Sequence, residues 1–310
     1  MKDKKYIITS YTSPDIDGVS AMYAYSELLN KLGKTSHYYI DGEPIKEVQI
    51  VCNKYMIELN SISEIDDSNI IIVDTNSPDA ISRNIRSESV VEIIDHHVES
   101  DDIYVFSNAK KHIETIGAVA TIIAEKFKSD NVSISRESAI LLYYGIVSNT
   151  INFKNKVTTV RDIEMAKWLK EQCEEIKDID VKEVFIEKSK IDDLRSGIIA
   201  EIKIPFSNKS LAISQLELVD VKEFIDKNIK DIKQVLGEVK KEKKLEYIFL
   251  NCIDIFNGYN MIISESKGTA ELLEDVLNIE SNNGTIVTNQ IMMRKEIVSL
   301  MKEKWEGIKK

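Results

Sequence analysis

The segment Val90-Val91-Glu92-Ile93-Ile94-Asp95-His96-His97 decides how this chain is read: a strand-forming apolar run that ends directly in an acid and two histidines. Two earlier segments share the form. Ile70-Ile71-Ile72-Val73 runs into Asp74-Thr75-Asn76, and Tyr6-Ile7-Ile8-Thr9 leads through Ser10-Tyr11-Thr12-Ser13-Pro14 to Asp15-Ile16-Asp17-Gly18. Near-continuous Ile/Val runs suit strands buried on both faces. Between them, Ala21, Tyr25, Leu28 and Leu32 recur at helical spacing, Tyr38-Tyr39-Ile40 makes a short apolar segment, and residues 45–59 carry another helical pattern. Helical patterns follow at 116–127, 136–147 and 160–169. This alternation predicts an α/β fold with a mostly parallel, doubly wound sheet.

Beyond residue 169 the pattern changes. Residues 170–182 hold Glu171, Glu174, Glu175, Lys177, Asp178, Asp180 and Lys182, and such a charge run predicts a solvated linker. A boundary near residue 180 would divide a first domain, 1–180, from a second, 181–310. The second half predicts strands at 198–204, 211–216, 247–255 and 261–263, a long helix at 221–241, and a terminal helix from Ile291 to about Trp305. It reads as a smaller α/β lobe.

Composition narrows the function classes. The chain has 310 residues, 43% hydrophobic and 30% charged, which are ordinary globular values and leave room for two cores. No apolar stretch approaches the roughly 20 residues of a membrane helix. The start, Met1-Lys2-Asp3-Lys4-Lys5, lacks the apolar region of a secretory signal, so a cytoplasmic location is expected. Cys52, Cys173 and Cys252 lie far apart without C-x-x-C spacing and predict buried free thiols. A formal charge of -11 disfavours a nonspecific grip on nucleic acid. A small anion remains compatible if cations neutralise it.

In open parallel sheets, ligands bind beyond the carboxyl ends of the strands. Three acidic clusters fall there. Together they offer carboxylate oxygens and imidazole nitrogens, a donor set suited to Mn²⁺, Mg²⁺, Co²⁺ or Zn²⁺. Asp15 and Asp17 can face neighbouring ions, Asp74 can bridge them, and His96 can complete one ion, as in sites where paired cations activate a hydroxide. His97 would then face a phosphoryl oxygen, with Asp95 orienting an imidazole. Each feature also has a plain structural use: Asp-x-Asp commonly caps a helix or makes a turn. The conjunction of three strand ends favours the cation site. His37 and His112 lack that context.

These motifs resemble those of the DHH phosphoesterase superfamily: Asp95-His96-His97 after a strand, preceded by Pro14-Asp15-Ile16-Asp17 and Ile72-Val73-Asp74, and followed by a fourth motif in residues 145–154. Within it, the segments 116–123 and 158–166 are similar to the family II, manganese-dependent inorganic pyrophosphatases and their exopolyphosphatase relatives. The resemblance implies a DHH domain followed by a DHH-associated domain that closes over the site, with two divalent cations, Mn²⁺ first and Co²⁺ or Mg²⁺ as alternatives. It implies hydrolysis of pyrophosphate or a short polyphosphate, with the ions on Asp15, Asp17, Asp74 and His96. His97, Lys203, Arg294 and Lys295 would neutralise phosphate. Residues 212–217 resemble the family's Gln-containing strand.

Two positions depart from the family pattern. Tyr11 stands where a histidine ligand is expected and Asn149 where an aspartate is, so both become weaker metal candidates. An inactive phosphate- or nucleotide-binding regulator is therefore an alternative. An oligonucleotide phosphodiesterase is another, disfavoured because the chain has no Gly-Gly pair. The resemblance leaves room for a homodimer and implies no membrane partner.

Overall fold

The computed structural model describes residues 5–206 and 210–304, and divides into two compact units, Met1–Val184 and Phe185–Lys310. The first is built on β1 (Tyr6–Thr9), β2 (Ser36–Tyr39), β3 (Asn69–Val73), β4 (Val90–Asp95) and β5 (Lys110–Ile113), in the order β2-β1-β3-β4-β5. Every pairing is parallel. Because β2 lies on one side of β1 and β3 on the other, the winding direction reverses between β1 and β3. A crevice opens there at the strands' carboxyl ends.

Local chemistry explains the elements. Ile70, Ile71, Ile72 and Val73 are all buried, as a run without polar alternation requires. Helix α1 (Ile16–Lys31) begins where Asp15 Oδ1 accepts the Asp17 and Gly18 N–H groups at 2.9 and 3.1 Å. Helix α2 (Lys46–Tyr55) is shorter than the helical pattern that the sequence shows, because Met56 turns left-handed and closes it. Strand β5, Lys110-Lys111-His112-Ile113, carries no apolar run and was not foreseen. It is an edge strand whose lysines are exposed, where charge guards against further pairing.

Helices α3 (Val119–Ser129), α4 (Arg136–Asn149) and α5 (Val160–Gln172) complete the first unit. Helix α4 is buried from Ser138 to Ser148, so it is apolar all round and has no amphipathic stripe. The first turn of α5 carries buried Asp162, which closes a capping box with Thr159 and also accepts from Gly117 N–H at 3.1 Å and Thr121 Oγ1 at 2.6 Å. It ties the start of α5 to the turn before α3. Replacing Asp162 by Ala breaks the capping box and strands four donors, with an expected cost of about 2–4 kcal/mol. A urea melt followed by circular dichroism checks it.

The charged stretch 170–182 is not a solvated linker. It is the end of α5, a turn, and the start of α6 (Asp178–Lys188), within which the two units divide. Several of its charges are paired: Arg136 holds Glu175 through two bonds, Lys170 holds Asp178 at 2.6 Å, and Lys54 meets Asp180 and Glu183 at 2.9 and 2.7 Å.

The second unit has a five-stranded mixed sheet, β10-β9-β8-β7-β6, built on β6 (Ile202–Lys203), β7 (Leu211–Leu218), β8 (Tyr247–Asp254), β9 (Asn260–Ser264) and β10 (Thr285–Val287). Only β7 and β8 are parallel. Helices α8 (Val221–Glu242), α9 (Lys267–Leu277) and α10 (Arg294–Lys304) accompany it. Residues 198–204 are not one strand. Asp193 accepts Ser196 N–H at 2.8 Å and starts α7 (Leu194–Ala200), leaving only the short β6. Helix α9 and strand β10 were also unforeseen, and Trp305 lies outside the described residues. All three cysteines are free and buried. Among the described residues no helix is long and apolar enough to cross a membrane.

Candidate metal centre

The crevice at the β1/β3 reversal holds the acidic residues. Asp74 follows β3 directly, and its N–H donates to the Ile94 carbonyl at 3.0 Å, which levels it with the end of β4. It adopts a left-handed backbone (φ 61°), a conformation Asp tolerates better than most residues. Gly18 allows the close approach: a Cβ there would lie 2.8 Å from Ser10 Oγ and 3.1 Å from Asp74 Oδ2.

His96 Nδ1 lies 3.0 Å from the Ile116 carbonyl, which can only accept, so Nδ1 carries the proton and Nε2 presents a lone pair. That lone pair lies 3.3 Å from Asp74 Oδ1 and 3.7 Å from Asp17 Oδ2. The Asn149 amide nitrogen donates to that lone pair at 3.2 Å. Asp74 Oδ1 is moreover buried without any hydrogen-bond partner, a costly arrangement. Burial, followed by the Asp17 and Asp15 charges, pushes the Asp74 carboxyl well above the usual range. Burial also pushes Asp17 up to about 7, with the Asp15 charge adding to the rise and the Ala120 and Val119 N–H groups opposing it. An orphaned carboxylate oxygen beside an imidazole lone pair, in a set of hard oxygens, fits a divalent cation.

Asp17 is 1% exposed and sits on α1, yet it caps α3: Val119 N–H donates to its Oδ2 at 2.9 Å and Ala120 N–H to its Oδ1 at 2.8 Å. Asn149, at the end of α4, turns its amide nitrogen inward, 3.1 Å from Asp17 Oδ2 and 2.9 Å from the Gly117 carbonyl. The sequence offered Asn149 there as a weak metal candidate. Tyr11 Oη accepts the Asp15 N–H at 3.0 Å, and burial, with Asp15 and Asp74 nearby, pushes its phenol far up, so it stands as a neutral hydroxyl.

Asp95 is fully buried and spent on donors. Its Oδ1 accepts from the N–H groups of His96 and His97 at 2.8 and 3.2 Å and from His97 Nδ1 at 2.9 Å, and its Oδ2 accepts from Asn76. Burial works against its charge, but those bonds prevail and hold it below the usual carboxylate range. Burial likewise opposes the His97 imidazolium, while the Asp95 hydrogen bond and the Asp74 and Asp95 charges together outweigh it and raise its pKa. Asn76 closes the arrangement, its Oδ1 accepting from Ser100 N–H at 2.6 Å. The sequence assigned Asn76 no role. Its place two residues after Asp74 was the available signal. Tyr11, Asp15, Asp74, Asn76, His97 and Asn149 line a common cavity of about 490 Å³.

In the second unit, Lys203 and Lys295 are exposed, while Arg294 Nη1 donates to the Glu201 carbonyl at 2.7 Å. Gln215 Oε1 accepts the Arg294 N–H at 2.7 Å and also Asn251 Nδ2. Fully buried Asn251 and Asn260 extend this network to both backbone groups of Met292. A chain of buried amides thus holds the segment that leads into α10 and its basic pair. His112, by contrast, meets Glu114 at 3.0 Å, outside the cluster.

Comparison with known proteins gives this arrangement a likeness. The model of the DHH family N-terminal domain matches residues 5–146, within the first unit. Relatives that match along its length carry the name of manganese-dependent inorganic pyrophosphatases. It is 27% identical over 308 residues to the manganese-dependent inorganic pyrophosphatase of Bacillus subtilis (strain 168), covering 95% of this chain and 96% of the relative. It is also 27% identical to a Bacillus cereus chain named as a probable enzyme of that kind, covering 98% and 100%. The fold matches the crystal structure of a Methanococcus jannaschii protein assigned to the family II inorganic pyrophosphatases, with a TM-score of 0.68, 23% identity and coverage of 96% and 98%.

If a cation is what Asp74 lacks, removing its charge should relieve the metal-free chain. Asp74→Asn, which keeps a residue tolerant of the left-handed backbone, should raise metal-free stability by on the order of 1 kcal/mol, or about 2–4 °C in Tm. It should also abolish any stabilisation by Mn²⁺. Scanning calorimetry with and without the ion checks both.

Proposed function

We propose that this chain hydrolyses a phosphoanhydride, inorganic pyrophosphate or a short polyphosphate, at a divalent-cation centre in the cluster formed by Asp15, Asp17, Asp74 and His96, with Mn²⁺ the first ion to test. One observation carries the proposal: the partnerless Asp74 Oδ1 set 3.3 Å from a His96 lone pair whose direction a backbone carbonyl fixes. The pyrophosphatase relatives support the substrate class. A cation bound there would acidify water and neutralise phosphate oxygens.

The remaining work falls to the chain's own groups. His97, held by Asp95 and half-exposed at the cavity, is placed to donate a hydrogen bond to a phosphoryl oxygen and to support the leaving group. Its raised pKa suits that donor role. Asp95 is a positioning residue, since no oxygen of its carboxylate is left for substrate. In the second unit we assign Lys203, Arg294 and Lys295 to phosphate binding. The family resemblance implies a pair of ions, and no covalent intermediate is required.

Phosphate release should be measured from pyrophosphate, tripolyphosphate and long polyphosphate, with Mn²⁺, Co²⁺ or Mg²⁺ supplied separately. We expect turnover on at least one of the first two, and silence on all three from folded, metal-loaded protein would sink the proposal. Asp74→Ala should lose turnover together with ion binding. His97→Asn should keep the ion and lower kcat about 10²-fold or more. Unchanged kcat would remove His97 from the chemistry.

A further inference from the structure

The two sides of the carboxylate cluster are unequally satisfied, and the difference lies at Asn149. Its Nδ2 is 2.9 Å from the Gly117 carbonyl, 3.1 Å from Asp17 Oδ2 and 3.2 Å from His96 Nε2. All three neighbours are acceptors, because the His96 proton is committed on the far side of the ring to the Ile116 carbonyl. One neutral amide with two hydrogens therefore occupies the space between Asp17 and His96 that a cation would need. Asp17 is complete without an ion, since Val119 and Ala120 N–H supply its other donors. An ion entering here would have to swing the amide away, breaking its bonds to Asp17 and to Gly117. A carboxylate at this position would have no hydrogens to give and would add charge to an already crowded set, so it would call for a cation where the amide does not.

The cavity side is different. Asp74 is 3% exposed and its Oδ1 has no donor. Asp15 and Asp74 both line the cavity, so an ion and its waters can reach them from solvent. Oxygen-rich, water-accessible positions of this kind suit Mn²⁺ and Mg²⁺.

Resting on the same cation centre as the proposed function, we infer that this chain holds one divalent ion per molecule, not a pair. The ion lies on the cavity side with Asp15 and Asp74, and the amide of Asn149 stands in for the inner ion. Position 149 then sets the number of ions: an aspartate there admits a second, an asparagine excludes it.

The test is a count. The full chain, stripped with a chelator, is titrated with Mn²⁺ in a calorimeter, and the bound ion is examined by electron paramagnetic resonance. We expect one tight equivalent and the hyperfine pattern of an isolated ion. Asn149→Asp should take up two equivalents, show the signature of an exchange-coupled pair, and melt below the unsubstituted chain without metal but not with Mn²⁺. Two equivalents or none in the unsubstituted chain, or a single equivalent in folded Asn149→Asp, would overturn the inference. Should that variant fail to fold, the count on the unsubstituted chain still decides, and Asp15→Asn tests the location: its equivalent should weaken at least tenfold, and unchanged binding would refute the cavity-side placement. Turnover is a separate readout. One ion without hydrolysis leaves this inference standing and removes the proposed function, whereas hydrolysis with two ions does the reverse.

Discussion

The carboxylate of Asp17 is where the scaffold and the candidate centre meet. It belongs to the first turn of α1, yet its oxygens receive the leading N–H groups of α3 and the side-chain amide that ends α4. A buried anion at a helix N-terminus is favourable because the orphan amides and the helix dipole are both met at once. That contact fixes three helices around one point, and the point is the carboxyl end of β1 and β3. The cluster is thus assembled by the same bonds that hold the first unit together. Asp162 does the equivalent in the next layer, joining the start of α5 to Gly117 and Thr121.

Around that anchor the residues separate by what each still lacks. Asp95 and Asp17 are saturated with donors, and Tyr11 is a neutral hydroxyl against the Asp15 backbone. Among the acids of the cluster, Asp74 has a buried oxygen that no donor meets. Electrostatic demand is therefore concentrated on one atom, and ligation follows demand more than it follows the number of acidic residues nearby. The second unit solves a different problem with neutral groups. Its buried Gln215, Asn251 and Asn260 fix the backbone ahead of α10 without placing charge in the core, where an unpaired charge would be expensive.

Much of this was legible before any coordinates. The Ile/Val runs at 70–73 and 90–94 announced parallel strands because a strand covered on both faces has no reason to alternate, and their acidic ends marked the binding edge. What failed to show had equally physical causes. Strand β5 carries lysines because it is an edge, α7 is dictated by an Asp193 cap rather than by its isoleucines, and the 170–182 charges sit on the end of one helix and the start of the next, several of them paired, instead of solvating a linker. Asn76 and Asp162 escaped notice because a single polar residue declares its role only through partners distant in the chain.

The sequence by itself determined the class of fold, the strand ends that carry chemistry, and the likeness of its first half to the DHH family, since these depend on hydrophobic periodicity and on short motifs. Tertiary structure alone decided what each acid does. Asp-x-Asp reads alike whether it caps a helix or holds an ion, and here the two residues split those duties among different partners: Asp15 caps its own helix and Asp17 the helix of α3. Asn149 reads as a weakened ligand, but folding turns its nitrogen inward and makes it a donor to the very carboxylate it was expected to assist. The direction of a hydrogen bond belongs to the assembled geometry, and no spacing along a chain encodes it.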